Sequence, residues 1–394
     1  MSEWKKVKLQ DCCHSISDGD HLPPPKSESG VPFITIANID VTNHMDFGNT
    51  MFVPFEYYDN LNGIRKAKCN DILYSVVGSF GKPVLIKENI PFAFQRHIAI
   101  LRPNNEIAES RFLYYIMLTK DFYMQADAVA IGAAQRTISL TALRNMQVEL
   151  PPMEIQHRIA TILSRYDSLI ENYQKQIKLL EEAAQRLYKE WFVDLHFPGH
   201  ENVKIVDGVP EGWEKKRLSD IANIIMGQSP KSEFYNTEGD GIPFHQGVGS
   251  YGYRFVVDNV YSTSFTRIAE PNSILFSVRA PVGRLNITKN KIVIGRGLAS
   301  INHKMGCQSY LYYLLKEKFF KDNIIGNGAI FASISKDELY NLAFYIPSDE
   351  MVKRYDAIAN KIDKNIQYAD SQIRLLTEAR DRLLPKLMSG EIAV

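Results

Sequence analysis

The stretch Leu150-Pro-Pro-Met-Glu-Ile-Gln-His-Arg-Ile-Ala-Thr-Ile-Leu163 decides the fold, because it begins a segment that the chain repeats from Pro347 onward. Pro151 and Pro347 are 196 residues apart, and the same offset aligns three later pairs without a gap: Arg158 with Arg354, Leu180 with Leu376, and Leu187 with Leu383. Since 196 is a multiple of seven, any seven-residue pattern stays in phase between the two copies. Self-similarity at a fixed offset predicts an internal structural repeat.

Each copy predicts one long amphipathic helix with an apolar seam. The seam follows the alternating three- and four-residue spacing of a coiled coil, with Ile159, Ile162, Tyr166, Leu169, Tyr173, Leu180, Ala183 and Leu187 in the first copy and Tyr355, Ile358, Ile362, Ala369, Leu376, Ala379 and Leu383 in the second. Prolines and acidic residues ahead of each stretch suit helix starts, and Ser389-Gly390 suits a helix end. One small domain cannot cover so long a stripe, so we expect the helices to pack on each other as an antiparallel coiled coil. The alternative is that each helix packs only on its own globular half.

The repeat also includes the globular segments ahead of the helices, where it is less regular. The offset drifts from 209 at Trp4 and Trp213 to 196 at the helices, and three blocks match: residues 71–75 with 273–277, 113–115 with 311–313, and 132–139 with 328–335. Short β-type runs between Gly-, Asn- and Asp-rich turns predict mixed α/β structure in both segments. We therefore predict an α+β fold with an internal pseudo-two-fold repeat, made of globular domains at 1–150 and 198–346 and helical spacers at 151–197 and 347–394.

Composition limits the class of protein. The 394 residues suggest about two to three domains, and 45% hydrophobic with 23% charged residues is typical of a globular chain. A net charge of +1 means that any nucleic-acid surface is local, which favours a protein that shares its grip on DNA with partner subunits. Residues 1–6 lack the apolar core of a signal peptide, and no apolar run approaches the roughly 18 residues of a membrane helix, so we expect a cytoplasmic protein.

Motifs that would indicate an enzyme or a metal site are incomplete. An adenine methyltransferase needs Pro-Pro followed by an aromatic residue, whereas the Pro-Pro pairs here precede Pro25 and Met153. Residues 247–252 have the letters of a dinucleotide motif but lead into a strand-like run instead of a helix. Residues 78–83 are too short for a phosphate loop, and residues 18–21 lack the remaining ligands of a calcium loop. The four cysteines lack zinc-site spacing. We predict that the chain has no catalytic residues and no metal site.

The repeat, taken with four motifs in order, resembles the specificity (S) subunits of Type I restriction–modification systems. The motifs are the opening stretch at 150–163, Trp191-Phe-Val-Asp-Leu-His-Phe-Pro198, Val209-Pro-Glu-Gly-Trp213 and Leu387-Met-Ser-Gly-Glu-Ile392. The resemblance implies two target-recognition domains, each reading one half of a split DNA site, and two helices that act as spacer and as docking surface for two methyltransferase (M) subunits. It implies that restriction and translocase (R) subunits join to cleave. It also implies that S-adenosylmethionine, ATP and Mg are found only on partner subunits.

Candidate DNA contacts are polar or cationic side chains beside glycines or in predicted loops. Arg can bond guanine and Gln can bond adenine through two hydrogen bonds in the major groove, whereas contacts to phosphates set position. The candidates are Lys82, Gln95, Arg96, Gln135, Arg136 and Thr137 in the first half and His245, Gln246, Arg279, Arg284 and Arg296 in the second. Arg136 aligns with Ala332, as expected if the two domains read different sequences.

Two other interpretations of the sequence stay open. One is a self-contained DNA methyltransferase or nuclease with degenerate motifs, which binding of S-adenosylmethionine to the isolated chain would reveal. The other is a coiled-coil DNA-binding scaffold, which would bind DNA tightly without a methyltransferase partner.

Overall fold

The computed structural model describes residues 4–320 and 333–394 apart from positions 22, 41, 42, 49 and 134. The chain forms two compact units. The first unit comprises Met1–Asn172 and Gln372–Val394, and the second comprises Tyr173–Ser371. This division passes through both long helices, whereas the division expected from sequence keeps the helices as separate segments. In the part of the chain that the model describes, no helix is both long and apolar enough to cross a membrane.

The first unit is built on a four-stranded antiparallel sheet. Its strands are β1 (Lys5–Lys8), β2 (Cys13–Asp18), β3 (Val31–Ile34), β4 (Met51–Val53), β5 (Ile72–Ser75), β6 (Pro83–Leu85), β7 (Ala93–Phe94), β8 (Ile98–Pro103) and β9 (Gln147–Leu150). Its helices are α1 (Phe55–Asp59), α2 (Ser110–Met117), α3 (Lys120–Val129), α4 (Leu140–Asn145) and the first half of α5 (Met153–Phe192), with 3-10 turns at Leu9–Cys12, Ile36–Asn38 and Gly63–Arg65. The main sheet has the order β2-β8-β5-β6, a smaller sheet has the order β4-β3-β7, and β1 pairs with β9.

Strand β5 shows why this sheet forms. All four of its residues are buried, and successive side chains of a strand point to opposite faces. Ile72 and Tyr74 belong to a core that includes side chains of α2 and α5, whereas Leu73 packs with Ile34 in a second core on the other face. A short, wholly buried run is therefore a strand covered on both sides.

The second unit repeats this plan with extra strands. Its strands are β10 (Ile205–Val206), β11 (Val209–Pro210), β12 (Glu214–Arg217), β13 (Ala222–Met226), β14 (Tyr235–Asn236), β15 (Ile242–His245), β16 (Tyr261–Ser262), β17 (Ile268–Ala269), β18 (Ile274–Ser277), β19 (Leu285–Ile287), β20 (Ile292–Ile294), β21 (Leu298–His303) and β22 (Ala343–Ile346). Its helices are α6 (Leu218–Ile221), α7 (Gln308–Phe320), α8 (Lys336–Tyr340) and most of α9 (Asp349–Met388), with 3-10 turns at His200–Asn202, Ser232–Phe234 and Val248–Ser250. The main sheet has the order β13-β21-β18-β19 and the second sheet the order β14-β16-β15-β20-β17.

Corresponding strands have corresponding pairing partners in both units. Strand β3 runs parallel to β7, and β15 runs parallel to β20. Strand β1 pairs antiparallel with β9, and β12 pairs antiparallel with β22. The prediction of mixed helix and sheet in both halves is confirmed.

Both long helices lie where the sequence places them. Each has 40 residues, and each begins within two residues of its proline signal. Helix α9 ends at Met388, and Gly390 follows in the left-handed conformation, with a φ of 72°. Glycine adopts this conformation without steric cost, which explains the stop at this position.

One of the two predicted lines of seam residues is wrong. The line through Ile159, Tyr166, Leu180 and Leu187, continued by Ile362, Leu376 and Leu383 in α9, is buried or half-buried. Most of the other line faces outward: Leu169 is 47% exposed, Ile358 is 42% exposed, and Ala183 and Ala379 are exposed. Ile162 is the exception, because it is half-buried and packs against the core of the first unit. The buried partner line starts one residue later and contains Leu163, Ile170, Ile177, Ala184 and Trp191, with Val352, Ala359, Ile366 and Leu387 in α9. The sequence has apolar residues on both lines, so the spacing alone does not choose between them.

Candidate nucleic-acid interface

Several predicted DNA contacts lie at a turn that joins a strand of the smaller sheet to a central strand of the main sheet. In the first unit this turn joins β7 to β8 and is closed by a hydrogen bond from Ile98 N–H to the Gln95 carbonyl, at 3.1 Å. Arg96 N–H donates to the Asp20 carbonyl at 3.1 Å, which fixes the backbone of the turn to the end of β2. The Arg96 side chain is exposed and makes no hydrogen bond or ion pair with another described residue. Its guanidinium is therefore available to a ligand.

Arg96, Gln135 and Thr137 line one cleft of about 320 Å³ in the first unit. Thr137 is held by paired backbone hydrogen bonds with Ile131, at 2.8 and 2.9 Å, and the exposed Gln135 lies at the tip of the resulting loop. Three of the six residues predicted in this half thus line one cleft, although Arg96 lies about 40 positions before the other two in the sequence.

Arg136 is more restrained than the other predicted contacts in this half. Its guanidinium forms an ion pair with Asp127 and also bonds the Asp127 carbonyl, and its Cζ lies 5.4 Å from the centre of the Phe80 ring. These contacts restrain the side chain, which is still 39% exposed, so Arg136 stays a predicted contact with less freedom than Arg96. The aligned Ala332 lies outside the described residues, as does the rest of 328–332.

Lys82 and Gln95 are half-buried at the margin of the first unit's surface. The Lys82 Nζ lies 3.5 Å from the Ile39 carbonyl, and Gln95 N–H donates to the Ile34 carbonyl at 3.2 Å. Both residues stay predicted contacts, with less freedom than Arg96.

The second unit has the corresponding turn between β20 and β21. Gly295 N–H donates to the His245 carbonyl at 2.8 Å, and Leu298 N–H donates to the Gly295 carbonyl at 3.0 Å. Arg296 occupies the position of Arg96, and its exposed side chain has no hydrogen bond or ion pair to the described part of the chain. The exposed Gln246 is beside it, because the Gln246 carbonyl accepts a hydrogen bond from Gly297 N–H at 3.1 Å.

The other two cations of the second half lie on the hairpin between β18 and β19. Arg279 is exposed and its backbone pairs with Ser333. Arg284 is half-buried and lines a cavity of about 420 Å³ beside Tyr312 and Lys316. Arg279 is therefore the freer of the two, and Arg284 stays a prediction.

His245 is a correction to the prediction. Only 1% of the residue is exposed, and its ring nitrogens lie 2.8 Å from Ser250 Oγ and 2.9 Å from Asp258 Oδ1. His245 and Gln246 are neighbours whose side chains lie in opposite environments, and only Gln246 faces solvent. The histidine holds the following loop in place and has no access to a base.

Gln228 is a candidate that the sequence did not reveal. Its N–H donates to the Ile294 carbonyl at 2.9 Å, just as Asp20 N–H donates to the Phe94 carbonyl at 3.1 Å. Gln228 is exposed beside the Arg296 turn, and its amide could form two hydrogen bonds with adenine. The signal that could have found it is the preceding glycine.

Both turns depend on a glycine at the end of the first strand of the main sheet. A Cβ on Gly19 would lie 2.1 Å from the Phe94 carbonyl oxygen, and a Cβ on Gly227 would lie 2.1 Å from the Gly295 carbonyl oxygen. No real Cβ approaches backbone that closely, so only glycine permits the close approach. The residue after each glycine is then placed beside the exposed arginine.

The two surfaces differ in charge. Asp20 accepts a hydrogen bond from the Tyr57 hydroxyl at 2.6 Å and lies 3.6 Å from Arg65, and Asp18 lies 2.7 Å from His21. The second unit has the neutral Gln228 in place of Asp20. Carboxylates accept hydrogen bonds from exocyclic amines such as that of cytosine, whereas an amide both donates and accepts. The same backbone frame thus carries two different chemical surfaces.

Metal-binding side chains do not cluster in the described ranges. No group of three or more His, Cys, Asp or Glu residues there could hold an ion. Burial raises the pKa of the Cys12 thiol to about 12, so this thiol stays protonated at neutral pH and is a poor ligand.

Comparison with known proteins gives a consistent result. The model of the Type I restriction modification DNA specificity domain matches residues 1–182 and again residues 210–374. The putative type I restriction enzyme MjaX specificity subunit of Methanocaldococcus jannaschii is 30% identical over 405 residues, which cover 100% of this chain and 94% of that protein. The type I restriction enzyme HindI specificity subunit of Haemophilus influenzae is 24% identical, with 100% of both chains covered.

A solved structure shares the fold. The crystal structure of a Type-I restriction-modification system S subunit from M. genitalium superposes with a TM-score of 0.62 at 19% identity, over 98% of this chain and 96% of that one.

Proposed function

Because this chain belongs to the family of Type I restriction–modification DNA specificity proteins, we propose that each of its units reads one half of a split DNA site. The chain is the non-catalytic specificity subunit of its system. Methylation and cleavage belong to partner subunits, which carry S-adenosylmethionine, ATP and Mg. The reading domains are residues 1–150 and 198–346, and the protein works in the cytoplasm on double-stranded DNA.

The matched turns of Arg96 and Arg296 are the observation that carries this proposal. Each arginine is exposed, lacks a partner among the described residues, and is presented by the same backbone frame. Their neighbours differ at an equivalent backbone position: Asp20 lies beside Arg96, whereas Gln228 lies beside Arg296. A shared frame with different neighbours suits two domains that bind DNA similarly and read different bases.

We further propose that α5 and α9 pair as an antiparallel coiled coil between the reading domains. Within the first unit, Asp167 early in α5 lies 2.7 Å from Arg380 late in α9. Within the second unit, the Tyr355 hydroxyl early in α9 donates to the Ala184 carbonyl late in α5 at 3.1 Å. Early residues of one helix thus meet late residues of the other. This order supports antiparallel pairing and the pseudo-two-fold repeat.

The helices are also the proposed docking surface for two M subunits, with R subunits joining the complex. Leu179 is 64% exposed and Leu375 is 49% exposed, and these residues occupy equivalent positions of the repeat, 196 residues apart. Exposed apolar side chains at matching positions suit two copies of one partner.

Half-site-resolved binding tests the proposal. Methylation mapping of a host carrying this chain and its M partner first identifies the target. The Kd of the complex is then measured for duplexes in which one half-site at a time is scrambled. We expect Arg96→Ala to weaken recognition of one half-site and Arg296→Ala that of the other, each by about tenfold, since one lost base contact costs about 1–3 kcal/mol.

Each arginine variant serves as the control for the other. The assignment of one unit to each half-site would be wrong if both variants weakened binding to the same half-site. It would also be wrong if both variants discriminated intact from scrambled half-sites as well as the wild type does.

A further inference from the structure

We propose that Arg254 is a positioning residue that fastens the second-unit loop, residues 246–258, to both long helices, so that reading by Gln246 depends on a buried charge cluster. The inference rests on the proposed function of the second unit as a DNA reader. It adds a residue that does not touch DNA but determines where a reading residue lies.

Arg254 is buried among side chains from three other elements. Only 1% of the residue is exposed. Its Nη1 donates to Glu181 Oε1 of α5 at 3.2 Å, and its Nη2 donates to Asp363 Oδ1 of α9 at 2.6 Å. Its Cζ lies 3.5 Å from the centre of the Tyr312 ring of α7. One side chain of the loop thus contacts both long helices and stacks on a third, which a planar guanidinium can do and an ammonium cannot.

The charges of the cluster sum to zero, but moving these charged groups out of water costs free energy. Arg254 and Lys316 balance Glu181 and Asp363, and Lys316 Nζ lies 3.8 Å from Glu181. Burial lowers the pKa of the Lys316 ammonium. Arg254 Nε has no hydrogen-bond partner among the described residues. Buried ion pairs often stabilise a fold no better than apolar side chains would, and their best-attested role is to specify one arrangement. A role in positioning therefore suits this cluster better than a role in stability alone.

Backbone and side-chain hydrogen bonds lead from Arg254 to the reading surface. The Arg254 carbonyl accepts a hydrogen bond from Ile287 N–H at 3.0 Å, and the Ile287 carbonyl accepts one from Val256 N–H at 3.2 Å. Val257 N–H, next in the chain, donates to the Ser250 carbonyl at 2.9 Å. Ser250 Oγ and Asp258 then hold the two ring nitrogens of His245, the residue before Gln246. Hydrogen bonds therefore connect the cluster at the helices to the base of the reading residue.

In the first unit, the corresponding helix carboxylate pairs with an arginine from a different element. Asp167 lies 196 residues before Asp363 and bonds Arg380 of α9 at 2.7 Å. Its arginine comes from a helix and not from a reading loop. A change at Asp167 and Arg380 is consequently a matched control, since it removes the same chemistry without releasing a loop.

The experiment compares Arg254→Met/Asp363→Asn with Arg380→Met/Asp167→Asn in the full chain bound to its M partner. Each double variant removes one positive and one negative charge, so no buried charge is left unbalanced. The readouts are Kd for duplexes with either half-site scrambled and hydrogen exchange of residues 246–258. We expect the first variant to lose about tenfold in discrimination of the second unit's half-site, the cost of about one mismatched base pair, with faster exchange in the loop. The control variant keeps wild-type values for that half-site.

Wild-type discrimination and slow exchange in Arg254→Met/Asp363→Asn would overturn the inference, as would an equal loss in the control variant. If the wild-type complex itself failed to discriminate the second half-site, the proposed function would fail instead, and the inference with it. Arg254→Lys keeps the charge and provides a milder variant should the double variant not fold. With this variant, loop exchange at the wild-type rate together with unchanged discrimination would equally overturn the inference.

Discussion

The two units attach equivalent helix carboxylates to arginines from different parts of the fold. Asp167 in α5 and Asp363 in α9 occupy the same position of the repeat, and each accepts a hydrogen bond from an equivalent tyrosine, Tyr115 at 2.5 Å or Tyr313 at 3.1 Å. In the first unit the arginine is Arg380 of the other long helix. In the second unit it is Arg254 of the second-unit loop.

This difference shows that a constant frame can hold its loops by different means. The segment of the first unit that follows β3 reaches α5 through His44, whose ring lies 3.4 Å from Glu171 and whose side chain is 45% exposed. The loop of the second unit reaches the helices through an arginine that is almost fully buried. Solvent screens exposed pairs strongly and buried pairs weakly. We therefore expect the two attachments to differ in strength and in their response to pH.

The largest expected effect on the free energy of unfolding is that of the single substitution Arg254→Met. This change leaves the buried Glu181 and the half-buried Asp363 with only Lys316 to balance them, so the free energy of unfolding of the second unit should fall by about 3–5 kcal/mol. Urea unfolding followed by hydrogen exchange in each unit measures it. Adding Asp363→Asn should restore part of the loss, because the unpaired carboxylate is removed. Equal losses in the single and double variants would show that packing of the arginine matters and its charge does not.

A smaller effect is expected for Arg380→Met in the first unit. The Arg380 side chain is 26% exposed, whereas that of Arg254 is 1% exposed. The second partner of Arg380 is the exposed Asp381, whereas that of Arg254 is the buried Glu181. The free energy of unfolding should therefore fall by about 1–2 kcal/mol, between the values for exposed and buried pairs. The same urea experiment measures it. A loss as large as that of Arg254→Met would remove the contrast between the units.

The smallest expected effect is a pH-dependent contribution of His44 in the first unit. The hydrogen bond to Glu171 raises the pKa of His44 above its ordinary 6.5, and the bond to His44, with Lys87 adding to it, lowers the pKa of Glu171 to about 2. The histidine contributes stability below pH 6.5 and loses it as pH rises through its folded pKa, whereas the carboxylate contributes above pH 4.5 and loses it as pH falls toward 2.

The contact should therefore be strongest between about pH 4.5 and 6.5, where His44→Ala should cost less than about 1 kcal/mol. Unfolding of both proteins at pH 5.5 and pH 8.5, with an NMR titration of the His44 ring, measures this contribution. A difference between wild type and variant that was larger at pH 8.5 would contradict the assignment.

Local signals in the sequence predicted the elements but not the choice of face. The ends of α5 and α9 were predictable, because prolines, first-turn carboxylates and a glycine act on the backbone within a few residues. The buried seam was not, because Ile162 and Leu163 are both apolar and only the surrounding side chains select Leu163. His245 and Gln246 are likewise neighbours that local sequence signals do not distinguish. The tertiary structure buries His245 and exposes Gln246.

By itself, the sequence determined the duplication, the phase of the two long helices, the mixed helix and sheet of both halves, and the family to which the repeat belongs. These features depend on spacing and on short-range backbone preferences. Which arginines are exposed and which are engaged within the fold depends on tertiary packing: Arg96 and Arg296 are exposed, whereas Arg136 and Arg254 form ion pairs. The reason is physical: Arg254 meets its carboxylates across 73 and 109 residues of chain, and the environment of a charge depends on what the fold places opposite it.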